Sequence, residues 1–215
     1  MNRFFTLLAI FVVGITSAQN ANIKAKKLLD EVYNKVISYK NIQIDFRYML
    51  DNPKENIKQE TRGDVTLEGE KYVINYLGVT QIFDGKNIYT ITPENEEITI
   101  ESATNKKEEL YSPSSMLTFY RKGYTYKWDI EQNVKGRKIQ YIDLKPTKND
   151  SNIKQILLGI DSMTKHIYNV IQIDKKDVRT TIVVNQIKTN QILPENKFQF
   201  DETKYKKEGY YISRF

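Results

Sequence analysis

Val79-Thr80-Gln81-Ile82-Phe83-Asp84-Gly85-Lys86-Asn87-Ile88-Tyr89-Thr90-Ile91-Thr92 is the stretch that decides the fold class. β-branched and aromatic residues fill both ends, as pleated strands favour. Asp84-Gly85 sits between them, and Asp-Gly flanked by alternating apolar residues is a strong hairpin signal. The stretch therefore reads as two antiparallel strands, residues 79–83 and 87–92, joined by a tight turn.

The same rhythm extends in both directions. Ile42, Ile44, Phe46, Tyr48 and Leu50 alternate with polar positions until Asp51-Asn52-Pro53 breaks the run. Residues 63–68 and 71–77 form the next pair, with Gly69-Glu70 between them. Residues 97–101 return after Pro93-Glu94-Asn95. Strands resume at Tyr124, Tyr126, Trp128 and Ile130, then at 138–145, 153–161, 166–173 and 178–188. The total is about eleven strands with mostly short connections, which makes sequential neighbours antiparallel. Such a meander must curl, split or close.

Two segments break the strand rhythm. Ala21, Ala25, Leu28, Leu29, Val32, Tyr33, Val36 and Ile37 recur at helical spacing, with Asn20 or Asn22 as cap. Residues 102–110 are polar and read as a loop. Ser112-Pro113-Ser114-Ser115 then opens a short apolar helix carrying Met116, Leu117, Phe119 and Tyr120, which Gly123 ends. Both helices need an apolar surface, and the concave face of a bent sheet supplies one. The cavity-lining candidates are Phe46, Tyr48, Leu67, Tyr72, Ile74, Phe83, Trp128 and Ile130. Met116, Leu117 and Phe119 are the candidates for a lid, and Phe46 and Met116 are expected to face one shared cavity. The aromatic tail (Tyr205, Tyr210, Tyr211, Ile212, Phe215) is expected to fold back on the body.

The N-terminus has its own pattern. Arg3 precedes an uncharged run over residues 4–15, and Thr16-Ser17-Ala18 offers small residues at a cleavage site. This is the order of a secretory signal peptide, and the run is shorter than the ~20 residues of a membrane span. A retained membrane anchor is the alternative reading. Cleavage after Ala18 leaves a single domain, residues 19–215, with formal charge reduced from +6 to +5. The lysines are scattered among glutamates, which describes a solvated surface and not a nucleic-acid stripe.

The chain has no cysteine and one histidine, His166. That excludes disulfides, a cysteine nucleophile and a cysteine-anchored lipid. No metal-ligand cluster, phosphate loop or other cofactor signature stands out. Asp84 is explained by its turn, and His166 reads as a surface residue. No catalytic residues are expected, so the expectation is a binding protein and not an enzyme.

In order along the chain stand Arg62-Gly63-Asp64-Val65, Ile82-Phe83-Asp84-Gly85-Lys86-Asn87-Ile88-Tyr89 with Thr92-Pro93, Leu144-Lys145-Pro146 and Phe198-Gln199-Phe200-Asp201. With these motifs the chain resembles the outer-membrane lipoprotein carrier family (LolA-like). The resemblance implies a mainly β fold with α elements: an unclosed antiparallel barrel of about eleven strands. An N-terminal amphipathic helix and a mid-chain helix would form a lid over an apolar cavity. It also implies a soluble, monomeric periplasmic chaperone that binds lipoprotein acyl chains. Its partners would be acylated lipoproteins, an inner-membrane lipoprotein-releasing transporter and an outer-membrane acceptor. The alternative is a periplasmic lipid- or lipoprotein-sensing module of the same fold. Known carriers place an arginine that helps latch the lid in the turn after the Gly-Asp strand; here that turn is Glu68-Gly69-Glu70. Physical need fits the pattern: an acyl chain of ~15 buried methylenes at ~0.8 kcal/mol each resists leaving a membrane by roughly 12 kcal/mol.

Overall fold

The alternating apolar runs form one sheet of twelve strands, in the order β12-β6-β5-β4-β3-β2-β1-β11-β10-β9-β8-β7. The computed structural model describes residues 5–103 and 113–215, with side chains from Ala21 onward. The strands are β1 (Asn41–Asn52), β2 (Ile57–Glu68), β3 (Lys71–Tyr76), β4 (Val79–Phe83), β5 (Asn87–Thr92) and β6 (Glu97–Ser102). After a mid-chain segment come β7 (Tyr124–Val134), β8 (Arg137–Pro146), β9 (Ile153–Asp161), β10 (Ile167–Asp174) and β11 (Arg179–Thr189). β12 (Tyr211–Arg214) adds itself parallel to β6. The eleven sequential strands match the expected meander, and β12 is a twelfth that the tail supplies. Between β11 and α3 no strand forms; residues 195–198 make a turn.

β1 pairs with both β2 and β11, so the two ends of the meander meet in the middle of the sheet. The open ends are β6, covered by β12, and β7. The barrel is therefore unclosed between the β12–β6 edge and β7.

Alternation sorts the core onto two faces of the sheet. On the inner face, α1 (Phe5–Ile37) buries Ala25, Leu28, Leu29 and Val32 against Ile142, Leu144, Ile156, Leu158 and Ile160. The spacing i, i+3, i+4, i+7 makes this one stripe of the helix. The helix expected to start at Asn20 or Asn22 is thus part of a longer one, and the expected cleavage site after Ala18 falls within it. Among the described residues, no helix is long and apolar enough to cross a membrane.

The outer face of β3–β6 carries a second apolar layer: Val73, Ile82, Ile91, Ile98 and Ile100. The C-terminal segment covers it with Phe198, Phe200, Tyr205, Tyr210 and Ile212. Phe200 stacks on Tyr89 with ring centroids 4.5 Å apart, and on Tyr205 at 5.4 Å. Asp201 accepts from the Lys204 N–H at 3.0 Å and caps α3 (Glu202–Lys207). Tyr211 and Phe215 stay exposed, so the tail folds back through only part of its aromatic set.

The decisive hairpin is held by Asp84. Its Oδ1 accepts from the N–H groups of Lys86 and Asn87, both at 2.7 Å, and its Oδ2 from the Tyr89 hydroxyl at 2.8 Å. Burial alone would raise this carboxyl, but those hydrogen bonds outweigh it and hold it below the usual carboxylate range. Asp84 is a turn residue, as expected, and Tyr89 ties the turn to Phe200 on the outer face.

One glycine is required by packing. A Cβ on Gly63 would lie 2.5 Å from Phe46 Cζ and 2.6 Å from the Asn75 carbonyl oxygen. The Phe46 ring lies across Gly63, and the opposing backbone leaves no room to retreat. Gly63→Ala is expected to lower unfolding free energy by about 1–3 kcal/mol, the usual cost of overpacking. Urea denaturation measures this, and an unchanged midpoint would contradict the close fit.

Candidate functional site

The stripe on α1 covers only the β7–β10 half of the inner face. The helix ends at Ile37, and a turn at residues 38–40 leads into β1. Beyond that end the inner residues of β1 and β2 (Ile42, Ile44, Phe46, Val65 and Leu67) form their own apolar group. No helix of comparable length lies over them among the described residues. Instead a cavity of about 250 Å³ opens there.

Its floor is Ile42, Ile44, Phe46, Val65 and Ile182, with Val36 of α1 at one side. Its roof is the start of the mid-chain segment: Pro113, Met116 and Leu117. The mid-chain element is shorter than the single helix expected. α2 (Pro113–Met116) gives way to a 3-10 turn at Phe119–Arg121. Residues 104–112, including the polar run and the proposed helix start at Ser112, lie outside the described residues.

Six of the eleven candidates line this cavity: Phe46, Tyr48, Leu67, Ile74, Met116 and Leu117. Phe46 and Met116 face the same space, as expected. The other five do not. Tyr72 and Phe83 continue the Leu67 row across the sheet, but their rings pack on each other at 5.6 Å beyond the cavity wall. Burial pushes the Tyr72 hydroxyl up to about 12, and it donates to Gln81 Oε1 at 2.7 Å. Trp128 and Phe119 pack into the layer under α1.

Ile130 is a correction: it is 55% exposed. β7 carries an extra residue between Trp128↔Ile142 and Glu131↔Gln140, which ends the simple alternation. Buried Gln140 donates its side-chain N–H to the Asp129 carbonyl at 2.7 Å and to the Ile130 carbonyl at 3.3 Å, fixing the bulge.

The cavity has polar groups at its two ends. At one end Tyr48 and Tyr76 meet edge-on, with centroids 5.2 Å apart. Burial raises the Tyr76 hydroxyl, and neighbouring Tyr48 adds to the shift. At the other end the Tyr39 hydroxyl and His166 Nε2 share a hydrogen bond of 2.8 Å. His166 is half-buried at the cavity wall, not the plain surface residue expected from its turn position. Burial lowers its pKa below the ordinary 6.5, and the Lys35 ammonium lowers it further. Tyr39 is its only side-chain hydrogen-bond partner among the described residues, and no triad forms around it. Among the described residues no cluster of His, Asp or Glu could hold a metal.

The mid-chain segment that roofs the cavity is tied to α1 by its own residues. Tyr120, 1% exposed, lies in the layer under α1, and its hydroxyl donates to the Leu29 carbonyl over a long 3.4 Å. Arg121 places its guanidinium 3.7 Å from the centre of the Tyr33 ring. Both contacts tie the mid-chain segment to α1, just past the residues that roof the cavity. The signal missed in the sequence was Tyr33 and Arg121 as a pair, because nothing in local spacing links positions so far apart. Other lining residues, among them Val36, Ile42, Ile44, Val65, Ile182, Val184 and Ile187, sit on apolar runs of helix or strand that carry no mark of a site, and Tyr39 lies in the turn between α1 and β1.

Comparison with known proteins agrees with this geometry. A curated outer-membrane lipoprotein carrier protein of Pseudomonas putida is 28% identical over 148 residues, covering 66% of this chain and 69% of that protein. The carrier protein of Pseudomonas fluorescens matches at the same identity and coverage. The crystal structure of an uncharacterized conserved protein from Thermus thermophilus shares the fold, with a TM-score of 0.60. At 12% identity it covers 89% of this chain and 99% of its own. The family model described as "Outer membrane lipoprotein carrier protein LolA" matches residues 38–201. That span runs from the turn after α1 to the cap of α3, and the chain belongs to the outer membrane lipoprotein carrier protein LolA family.

Proposed function

We propose that this protein binds the acyl chains of lipoproteins in the cavity roofed by Met116 and Leu117, and carries them through the periplasm from the inner to the outer membrane. The family consists of binding chaperones and not enzymes. The observation that carries the reading is the lining: aliphatic and aromatic side chains on every wall, with tyrosine and histidine groups only at the ends. An acyl chain placed there loses water from each methylene, worth ~0.8 kcal/mol per CH₂.

The volume sets a further condition. About 250 Å³ lies below the roughly 300–1,000 Å³ of pockets for drug-sized ligands, so several acyl chains need the roof to move. α2 and the turn at Phe119–Arg121 are short, and among the described residues their hold on α1 is the packed rings of Tyr120 and Phe119, one long hydrogen bond and one cation–π contact, all lying past Met116 and Leu117. Such a roof can lift at a cost of a few kcal/mol, while the layer beneath α1 stays packed. A chain without cysteine offers no thiol for a lipid anchor, which fits a carrier that moves between membranes. Its donor would be an inner-membrane lipoprotein-releasing transporter and its acceptor an outer-membrane receptor, with the carrier itself a monomer.

Release assays test the role. Added to inner-membrane vesicles with an active releasing transporter, the protein is expected to bring acylated lipoproteins into solution as a soluble complex. Binding of acylated lipoproteins without such release would favour the sensing reading instead.

Three variants probe the site. Leu117→Asp puts a charge on the half-exposed roof and is expected to weaken binding of a fluorescent fatty acid at least about tenfold, with the unfolding temperature little changed. Arg121→Ala removes the contact with Tyr33 and is expected to speed release of that probe by about threefold to tenfold, as stopped-flow displacement would show. Unchanged release would mean that the latch lies elsewhere.

His166 makes the site pH-dependent. Its folded pKa is lowered, so it favours the neutral form; its contribution to stability is present above 6.5 and is lost as pH falls through the folded value. Protonation also sets a charge beside the cavity, next to Lys35 and Arg137 and opposed by Asp161. Probe affinity is expected to fall as pH drops below 6.5, and His166→Gln is expected to flatten that dependence.

A further inference from the structure

β2 pairs with β1 along its whole length, from Asn41↔Glu68 to Asn52↔Ile57. It pairs with β3 only from Asp64 to Glu68. Residues 57–63 therefore project past the β3–β4 hairpin, and among the described residues no strand lies on their outer side. Open edges of this kind are templates for pairing with another chain.

This edge borders the proposed acyl site. A notch of about 630 Å³ lies between Arg62 and Gly63 on one side and the β3–β4 turn on the other, where Asp64 still pairs with Asn75. Phe46 and Tyr76 line both the notch and the apolar cavity, so the two spaces adjoin across these rings. At the rim, Leu77 is 60% exposed in a left-handed turn at φ 52, followed by Gly78 at φ 76. Asn-Gly is the common choice for such a pair of central positions, and leucine there presents an apolar side chain to whatever enters.

Charged residues usually protect an edge, but of the three here (Lys58, Glu60 and Arg62) two turn toward β1. Glu60 contacts Arg47 at 3.5 Å and Lys58 contacts Asp51 at 3.9 Å, both across to β1 and away from the open side. The main chain of the edge remains the accessible feature. Backbone pairing reads no side-chain sequence, which suits a protein that must accept many different polypeptides attached to the same lipid.

We propose that residues 57–63 pair, as a sheet takes an added strand, with the extended polypeptide that follows the acylated N-terminus of a cargo protein. The acyl chains lie in the adjoining cavity. This deepens the acyl-carrier reading above and rests on it.

Hydrogen–deuterium exchange of the full chain tests it with three probes. These are a dipalmitoylated cysteine peptide of about ten residues, the same lipidated cysteine with no peptide, and the peptide without lipid. All are scored for displacement of a fluorescent fatty acid. The lipopeptide is expected to slow exchange of alternate amides in residues 57–63 by at least about tenfold. The lipid-only probe is expected to enter the cavity and leave those amides unchanged. Two lipopeptides N-methylated at alternate residues, in opposite phase, are expected to differ in affinity by about tenfold, because only one phase loses donors that face β2. A lipopeptide that displaces the fatty acid yet leaves residues 57–63 exchanging freely, or equal affinity for both phases, overturns strand addition and leaves the carrier reading standing. Concentration-dependent protection in the free protein would assign the edge to a second copy and also overturn it. If neither lipidated probe displaces the fatty acid, the carrier reading falls and the proposal with it.

Discussion

A helix too short for its sheet is the constraint on which the rest depends. The stripe Ala25, Leu28, Leu29 and Val32 seals one half of the inner face and stops at Ile37. The strands beyond it keep presenting apolar residues inward: Ile42, Ile44 and Phe46 on β1, then Val65 and Leu67 on β2. An uncovered apolar surface of that extent is unfavourable in water. The chain answers with the start of the mid-chain segment, which spans the gap and does not fill it. The cavity is what remains between a full-length floor and an undersized roof.

The open seam between β6 and β7 serves the same end. Of the segment that joins β6 to β7, the described part at residues 113–123 lies against the inner face. Its anchor is Tyr120 under α1, strengthened by Arg121 on Tyr33. Its roof residues are partly wet, Met116 being 44% exposed. A tightly packed roof would hold cargo too long, and a missing one would leave the floor to aggregate. On the outer face Phe198 and Phe200 pack against the β3–β6 strands and the Asp84–Tyr89 hairpin, so that side of the sheet is covered independently of the cavity.

Much of this was legible from residue order. Alternation from Ile42 to Leu50, the Asp84-Gly85 turn and the helical stripe each report a local rule, and local rules survive into the fold. Phe46, Tyr48, Leu67, Ile74, Met116 and Leu117 reach the cavity because each follows its period. Trp128 also follows its period, but α1 lies over it, and helix placement is a tertiary fact. Ile130 failed because a bulge changes the face, and its cause is Gln140 on another strand. Residues 57–62 of β2 gave no strand signal: the projecting hairpin is solvated, so nothing selects alternation there. The His166–Tyr39 contact joins positions 127 apart, beyond any spacing rule.

The central claim is that acyl chains occupy the uncovered half of the inner face and not the half beneath α1. Photocrosslinking with a lipopeptide carrying a diazirine in its acyl chain, followed by mass spectrometry of the adducts, locates the chain directly. The account predicts adducts on Ile44, Phe46, Val65, Leu117 and Ile182. Adducts confined to the layer of Leu28, Leu144 and Leu158, or to the outer face around Ile98 and Phe198, would contradict it.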